Sequence, residues 1–144
     1  MNLDDNVFEF SLTNELAEIV EAAAKIEAFC EANDVSPDVA YAVNPSVDEI
    51  LTNTISYGYA DEETHRIEIA VRLEAEALVV VIVDDSSAFD LTAAPEPDLG
   101  ASLEEREVGG LGLFLVHQMM DEVEYERAGD RNVATLTKRT AGDV

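Results

Sequence analysis

Seven consecutive apolar residues, Ala77 to Val83, stop at the pair Asp84-Asp85. No other feature restricts the fold as much. A continuous apolar run of this length, dominated by β-branched side chains, reads as a strand buried on both faces. Just before it, Ile67, Ile69, Val71 and Leu73 alternate with Arg66, Glu68 and Arg72, the period of a strand with one wet face. Phe8, Phe10 and Leu12 alternate with Glu9 and Ser11 in the same way. Val123 and Tyr125, then Val133 to Thr137, read as a closing hairpin around Gly129-Asp130.

Helical periodicity fills the space between the first two strands. Thr13 is placed to cap a helix, with Glu15 in the first turn facing the positive end of its dipole. That helix is expected to reach about Asn33, with Leu16, Ile19, Val20, Ala23 and Ile26 on one face. Cys30 falls on the same stripe and reads as a buried thiol acting as a small hydrophobe. Ser36-Pro37 opens a second helical stretch, which Asn44-Pro45 is expected to interrupt as a cap and first-turn proline. Beyond it, Val47, Ile50, Leu51, Thr54 and Gly58 form a narrow stripe. Leu113 to Met120 reads as a last helix. From Phe89 to Val108 runs a segment rich in Pro, Gly, Ala and acids, long for a connection and of the kind that carries function. Strands, helices, then strands in hairpins make the pattern α+β.

At 144 residues the chain is expected to form one domain, 1–144. Lys and Arg number 8 against 32 Asp and Glu, a net charge of −24. That field repels a phosphate backbone, so no nucleic-acid partner is expected; it suits a solvated surface or a basic protein partner. No apolar run approaches the ~20 residues of a membrane span, and Met1 to Glu9 lack the features of a signal peptide. With a single cysteine, an internal disulfide is impossible, which agrees with a cytoplasmic location and no membrane partner. His65 and His117 have no ligand-spaced companions. His117 is placed on the outer face of its helix.

Three constellations could carry chemistry. Glu49 and Asn53, four apart, share one helix face opposite the Val47 stripe, which places them away from the core on either a solvated or a functional face. Asp84-Asp85 at a strand end could accept hydrogen bonds from a ligand, and Asp-Asp-Ser-Ser is equally a good turn. Gly109-Gly110-Leu111-Gly112 opens a helix whose N-terminal N–H groups suit an anion. Phosphates beside so acidic a chain would need a divalent metal, and the amide oxygen of Asn53 suits Mg²⁺.

The order of these elements resembles the GHKL ATPase superfamily, and more closely its small anti-sigma-factor serine kinases of the RsbW/SpoIIAB type. The stretches that carry the likeness are Val47 to Tyr59, Asp84 to Asp90, Gly109 to Val116, Met120 to Tyr125 and Asn132 to Arg139. The resemblance implies a Bergerat-type two-layer sandwich, with helices on one face of a mixed, mainly antiparallel sheet. It implies ATP and Mg²⁺ as cofactors, Asn53 as the metal ligand and Glu49 as the catalytic general base. Asp84 would accept the adenine amino group, Ser86 and Ala88 would lie in the nucleotide-binding box, and Gly109, Gly110 and Gly112 would line the phosphates. The segment at about 91–108 would be the ATP lid. The implied activity is phosphorylation of a STAS-domain anti-anti-sigma protein, with sequestration of a sigma factor or equivalent target, by a homodimer.

The chain departs from the family pattern in two places. Ser86 and Ala88 stand where relatives usually have Gly, and Gly or Pro; Leu111 stands where many have Arg. Ser86 favours an alternative, a partner-switching module without catalysis that binds nucleotide weakly or not at all. A further alternative, the stand-alone ATPase domain of a sensor kinase, would call for dimerisation helices ahead of Phe8.

Overall fold

A computed structural model describes residues 7–93 and 110–140. Its elements run β1 (Val7–Thr13), α1 (Glu18–Ala32), α2 (Pro37–Tyr57), β2 (Arg66–Glu74), β3 (Ala77–Asp84), a 3₁₀ turn (Leu91–Ala93), α3 (Gly110–Met119), β4 (Glu122–Ala128) and β5 (Arg131–Arg139). The five strands form one sheet in the order β1-β2-β3-β5-β4, and all four pairings are antiparallel. The helices pack on the face to which Ile67, Ile69 and Val71 of β2 and Leu78, Val80 and Ile82 of β3 point. The α+β two-layer sandwich is therefore the architecture, and among the described residues its sheet is antiparallel throughout. No helix among the described residues is long and apolar enough to cross a membrane.

Side chains alternate along β3, and that alternation sets up the site. Leu78, Val80 and Ile82 enter the core, and Asp84, next on the same face, follows them inward at the strand end. The opposite face matches the expectation of burial only in part: Val79 is buried there. Val81 and Val83 are only half-buried, because their cross-strand neighbours include Glu68, Ala70 and Thr135, small or polar groups that cover little apolar surface.

Helix α1 begins at Glu18, five residues past the expected cap. Instead of Thr13 capping the helix, the Thr13 backbone N–H donates to the Glu18 carboxylate at 2.8 Å. The buried face is Ile19, Ala22, Ile26, Phe29 and Cys30, while Val20 is 73% exposed and Leu16 55%. Phe29 decides the rotation: its ring stacks on Phe8 of β1 at 6.1 Å, and burying an aromatic outweighs burying Val20. Cys30 is buried as expected, and burial, aided by Glu27, pushes its thiol up from the ordinary range.

Helix α2 runs through Pro45 without a break, against the expectation of an interruption there. An interior proline costs about 3 kcal/mol, yet Val39, Ala42 and Val43 before it and Val47, Ile50 and Leu51 after it all face the core. Breaking the helix would expose one of those sets. Ser46 donates its hydroxyl to the Ala42 carbonyl at 2.8 Å, adding a side-chain bond beside the proline.

Candidate nucleotide site

The C-terminal half of α2, the end of β3, the start of α3 and the β4–β5 hairpin enclose a cleft of about 360 Å³. Ligand pockets commonly occupy about 300–1,000 Å³. Asn53, Asp84, Ser86 and Ala88 line it together with Ile50, Gly58, Leu113 and Ala134. Residues far apart in sequence thus meet in one cavity, apolar in its walls and polar at two ends.

At one end Asp84 is 5% exposed, and three donors converge on a single carboxylate oxygen. The Ser86 backbone N–H reaches Asp84 Oδ1 at 2.9 Å, the Ser86 hydroxyl at 2.5 Å and the Asn132 amide at 2.9 Å. No described group donates to Oδ2. An ionised carboxylate only accepts, so its second oxygen suits an amino group on a planar ligand. Ser86, which stands where relatives usually have Gly, turns its hydroxyl onto Asp84 and rests against Gly58. A Cβ added at Gly58 would stand 2.8 Å from the Ser86 Cβ and 2.6 Å from the Thr54 carbonyl oxygen. The serine is accommodated because position 58 lacks a side chain.

At the other end Asn53 lines the cleft, and Glu49 stands one turn earlier on α2 beside it. Both are half-buried: they lie outside the core cluster, yet Glu49 packs against the start of α3 instead of standing in open solvent. They face α3, which covers that side of α2. The Asn53 amide nitrogen donates to the Glu49 Oε2 at 2.7 Å and to the Glu49 carbonyl at 3.0 Å. Both acceptors are oxygens that cannot donate, so the Asn53 amide oxygen is the atom left free. That amide oxygen is a hard, neutral donor of the kind that suits Mg²⁺, a cation that keeps several waters and takes few protein ligands. A Cβ at Gly112 would overlap the Glu49 carboxylate, so the glycine is required for the acid to pack against the first turn of α3. Gly110 is the first residue of α3; Gly109, and residues 94–108 of the segment expected at about 91–108 to be the ATP lid, lie outside the described residues.

A histidine kinase-like ATPase domain model matches residues 12–138. The chain belongs to this ATPase family. It is similar to the serine/threonine-protein kinase BtrW of Bordetella bronchiseptica, 27% identical over 141 residues and 98% of each chain. It is 28% identical to the serine-protein kinase RsbW of Bacillus subtilis over 103 residues, covering 68% of this chain and 63% of that one. The RsbW of Listeria monocytogenes is 32% identical over 82 residues, 54% of this chain; the match spans about half that relative's length, 52%. The crystal structure of the RsbU and RsbW domains of Rv1364c from Mycobacterium tuberculosis superposes with a TM-score of 0.66 at 13% identity. That superposition covers 92% of this chain and 31% of the other. The chain is therefore a GHKL-superfamily ATPase domain with RsbW-type likeness.

Several site residues of this ATPase domain escaped sequence reasoning. Asn132 sits directly across from Asp84 in the β3–β5 register, and Arg127 directly across from Asn132 on β4. Tyr125 donates its hydroxyl to Asn132 Oδ1 at 2.6 Å. The signal was an asparagine at the second position of β5, readable only once the register was known. Gly58, read as part of the α2 stripe, is the seat of Ser86.

Beside the cleft, His65 bridges Asp61 at 2.7 Å and Asp85 at 3.2 Å, and Tyr59 stacks on its ring at 4.2 Å. The hydrogen bond to Asp61, followed by that to Asp85, raises the His65 pKa above its ordinary value. Burial, followed by the Asp84 and Asp85 carboxylates, pushes the Tyr59 phenol up. His117 does not sit on an outer face: it is half-buried and its Nε2 donates to the Leu91 carbonyl at 3.0 Å, tying α3 to the 3₁₀ turn.

Proposed function

We propose that this chain is an ATP-dependent protein serine kinase that phosphorylates a STAS-domain anti-anti-sigma protein and sequesters a sigma factor or equivalent target. The observation that carries the reading is the meeting of two chemistries in one cleft: Asp84 and Asn53 both line it, and Asn53 is hydrogen-bonded to Glu49 just beyond the lining. The names of the RsbW and BtrW relatives support the kinase activity. Asp84 Oδ2 accepts the adenine amino group, which gives ATP preference over GTP. Gly109, Gly110 and Gly112 let the start of α3 approach the phosphates through backbone N–H groups.

Asn53 would hold Mg²⁺ through its amide oxygen, and the bound cation would supply the positive charge that phosphates need next to a chain of net charge −24. Glu49, oriented by Asn53 and by its seat on Gly112, takes the proton from the substrate seryl hydroxyl. The seryl oxygen then bonds to the γ-phosphorus as the bond to the bridging oxygen breaks, leaving ADP and phosphoserine. The chain acts as one domain, 1–144, working as a homodimer in the cytoplasm, with residues at about 91–108 as the lid. Ser86 supports nucleotide binding here, because its hydroxyl serves Asp84. The test is incubation with γ-labelled ATP, Mg²⁺ and a cognate STAS protein. Transfer of label to a serine of that protein, lost without Mg²⁺, is expected; no nucleotide binding at millimolar ATP would replace the kinase with a non-catalytic partner switch.

A further inference from the structure

We infer that Asn132 is a positioning residue for nucleotide-base selection, acting through Asp84 and itself oriented by Arg127 and Tyr125. The inference rests on the proposed ATP site and goes beyond it by naming what makes Asp84 selective. An asparagine amide can be turned either way, and its two ends do opposite things: the oxygen accepts, the nitrogen donates. Here the choice is forced. Arg127 is a donor only, and its Nη1 lies 3.0 Å from one end of the amide, which must therefore be oxygen. The Tyr125 hydroxyl donates to the same oxygen at 2.6 Å. The amide nitrogen then faces Asp84 Oδ1 at 2.9 Å and the Ser86 hydroxyl oxygen at 3.1 Å.

The consequence is a fixed acceptor. Arg127 also holds the Ser86 carbonyl at 2.9 Å, so the arginine clamps the Asp84–Ser86 turn and the asparagine together. Asn132 passes the influence of Arg127 to Asp84 as a neutral donor and keeps the cation itself out of direct contact with the carboxylate. With Oδ1 saturated, Asp84 cannot rotate to exchange its oxygens without losing hydrogen bonds. It meets the ligand as an acceptor through Oδ2. A base with an amino group at the matching position is bound; one with a carbonyl there meets two facing acceptors. Without Asn132 the carboxylate has fewer constraints and can turn away from a facing carbonyl, so the wrong base is penalised less.

The experiment compares ATP with inosine triphosphate, which carries a carbonyl where adenine carries its amino group, by calorimetry on the full chain. The unaltered protein is expected to prefer ATP at least tenfold, the scale of discrimination by one buried hydrogen-bonding group. In Asn132→Ala the preference should fall at least fivefold, because inosine triphosphate loses less affinity than ATP. Tyr125→Phe keeps the ring and removes one donor to Asn132; it should shift the ratio in the same direction by about twofold, and it covers the case in which Asn132→Ala does not fold. A purely structural role would weaken both nucleotides equally. An unchanged ratio in Tyr125→Phe and in folded Asn132→Ala overturns the inference and leaves the ATP site standing. An unaltered protein that binds neither nucleotide overturns the proposed function and this inference with it.

Discussion

Gly58→Ala followed by Ser86→Gly in the same chain forms a double-mutant cycle whose sign the structure dictates. The methyl group that Gly58→Ala adds would sit 2.6 Å from the Thr54 carbonyl oxygen, 2.8 Å from the Ser86 Cβ and 2.9 Å from the Ser86 hydroxyl oxygen. Ordinary contacts at such pairs begin several tenths of an ångström farther out, so the end of α2 and the Asp84–Ser86 turn must part. Overpacking of this kind costs about 1–3 kcal/mol. Moving Ser86 also strains its two bonds to Asp84, at 2.9 Å and 2.5 Å, and the Gly58 carbonyl's bonds to the Ser87 amide and hydroxyl. Ser86→Gly alone removes one side-chain hydrogen bond to Asp84, a loss of about 1 kcal/mol. In the double variant two of the three close contacts vanish, so the total cost should be about 1 kcal/mol less than the sum of the singles. Urea denaturation of the four proteins measures this, with slopes compared to confirm a common unfolded state. Strict additivity would refute the seating of Ser86 on Gly58, because independent sites add to within about 0.5 kcal/mol.

Three further outcomes follow from the same geometry. Asp84→Asn puts an amide where a carboxylate accepts, and the ATP preference over GTP should shrink by about tenfold or more, read by competitive titration; an unchanged ratio would remove Asp84 from base recognition. Gly112→Ala pushes the Glu49 carboxylate off α3 and should lower phosphotransfer by about tenfold or more while ATP affinity changes far less; equal losses in both would contradict the seat proposed for Glu49. The raised His65 pKa stabilises the folded chain fully below the unfolded value of about 6.5, and that contribution is lost as pH rises through the higher folded value. Proton NMR of the imidazole should show His65 titrating above about 6.5 and moving downward in Asp61→Asn; a folded value at or below that ordinary value would refute the bridge.

Much of the fold was legible because alternation is a local signal. Ile67, Ile69 and Val71 announce which face of β2 is buried, and Gly129, at φ +65°, marks the turn between β4 and β5. What misled was local chemistry overridden by burial. Pro45 is a helix-starting signal by itself, yet seven buried side chains along α2 hold the helix straight through it. Val20 fits a periodic stripe, but Phe29 and Phe8 rotate α1 away from it. The candidate site divided along the same line. Asp84, Glu49 and Asn53 stood out because their order along the chain matched a family pattern. Asn132, Arg127 and Tyr125 stayed hidden because their role depends on which residues face each other across three strands.

The proposed phosphoryl transfer uses a metal-holding amide and a separate carboxylate base, and the contrast between Asn53→Ala and Glu49→Gln separates the two roles. ATP affinity with and without Mg²⁺, and label transfer to a cognate STAS protein, would be measured for both variants alongside the parent chain. Both side chains are half-buried and bonded to each other, so each change should cost only about 1 kcal/mol of stability and leave the fold intact. Asn53→Ala should lose the Mg²⁺-dependent part of ATP binding. Glu49→Gln should keep that binding and transfer phosphate more slowly by about 10²–10⁴-fold. Two folded variants that bind ATP and phosphorylate the partner as the parent does would contradict the claim.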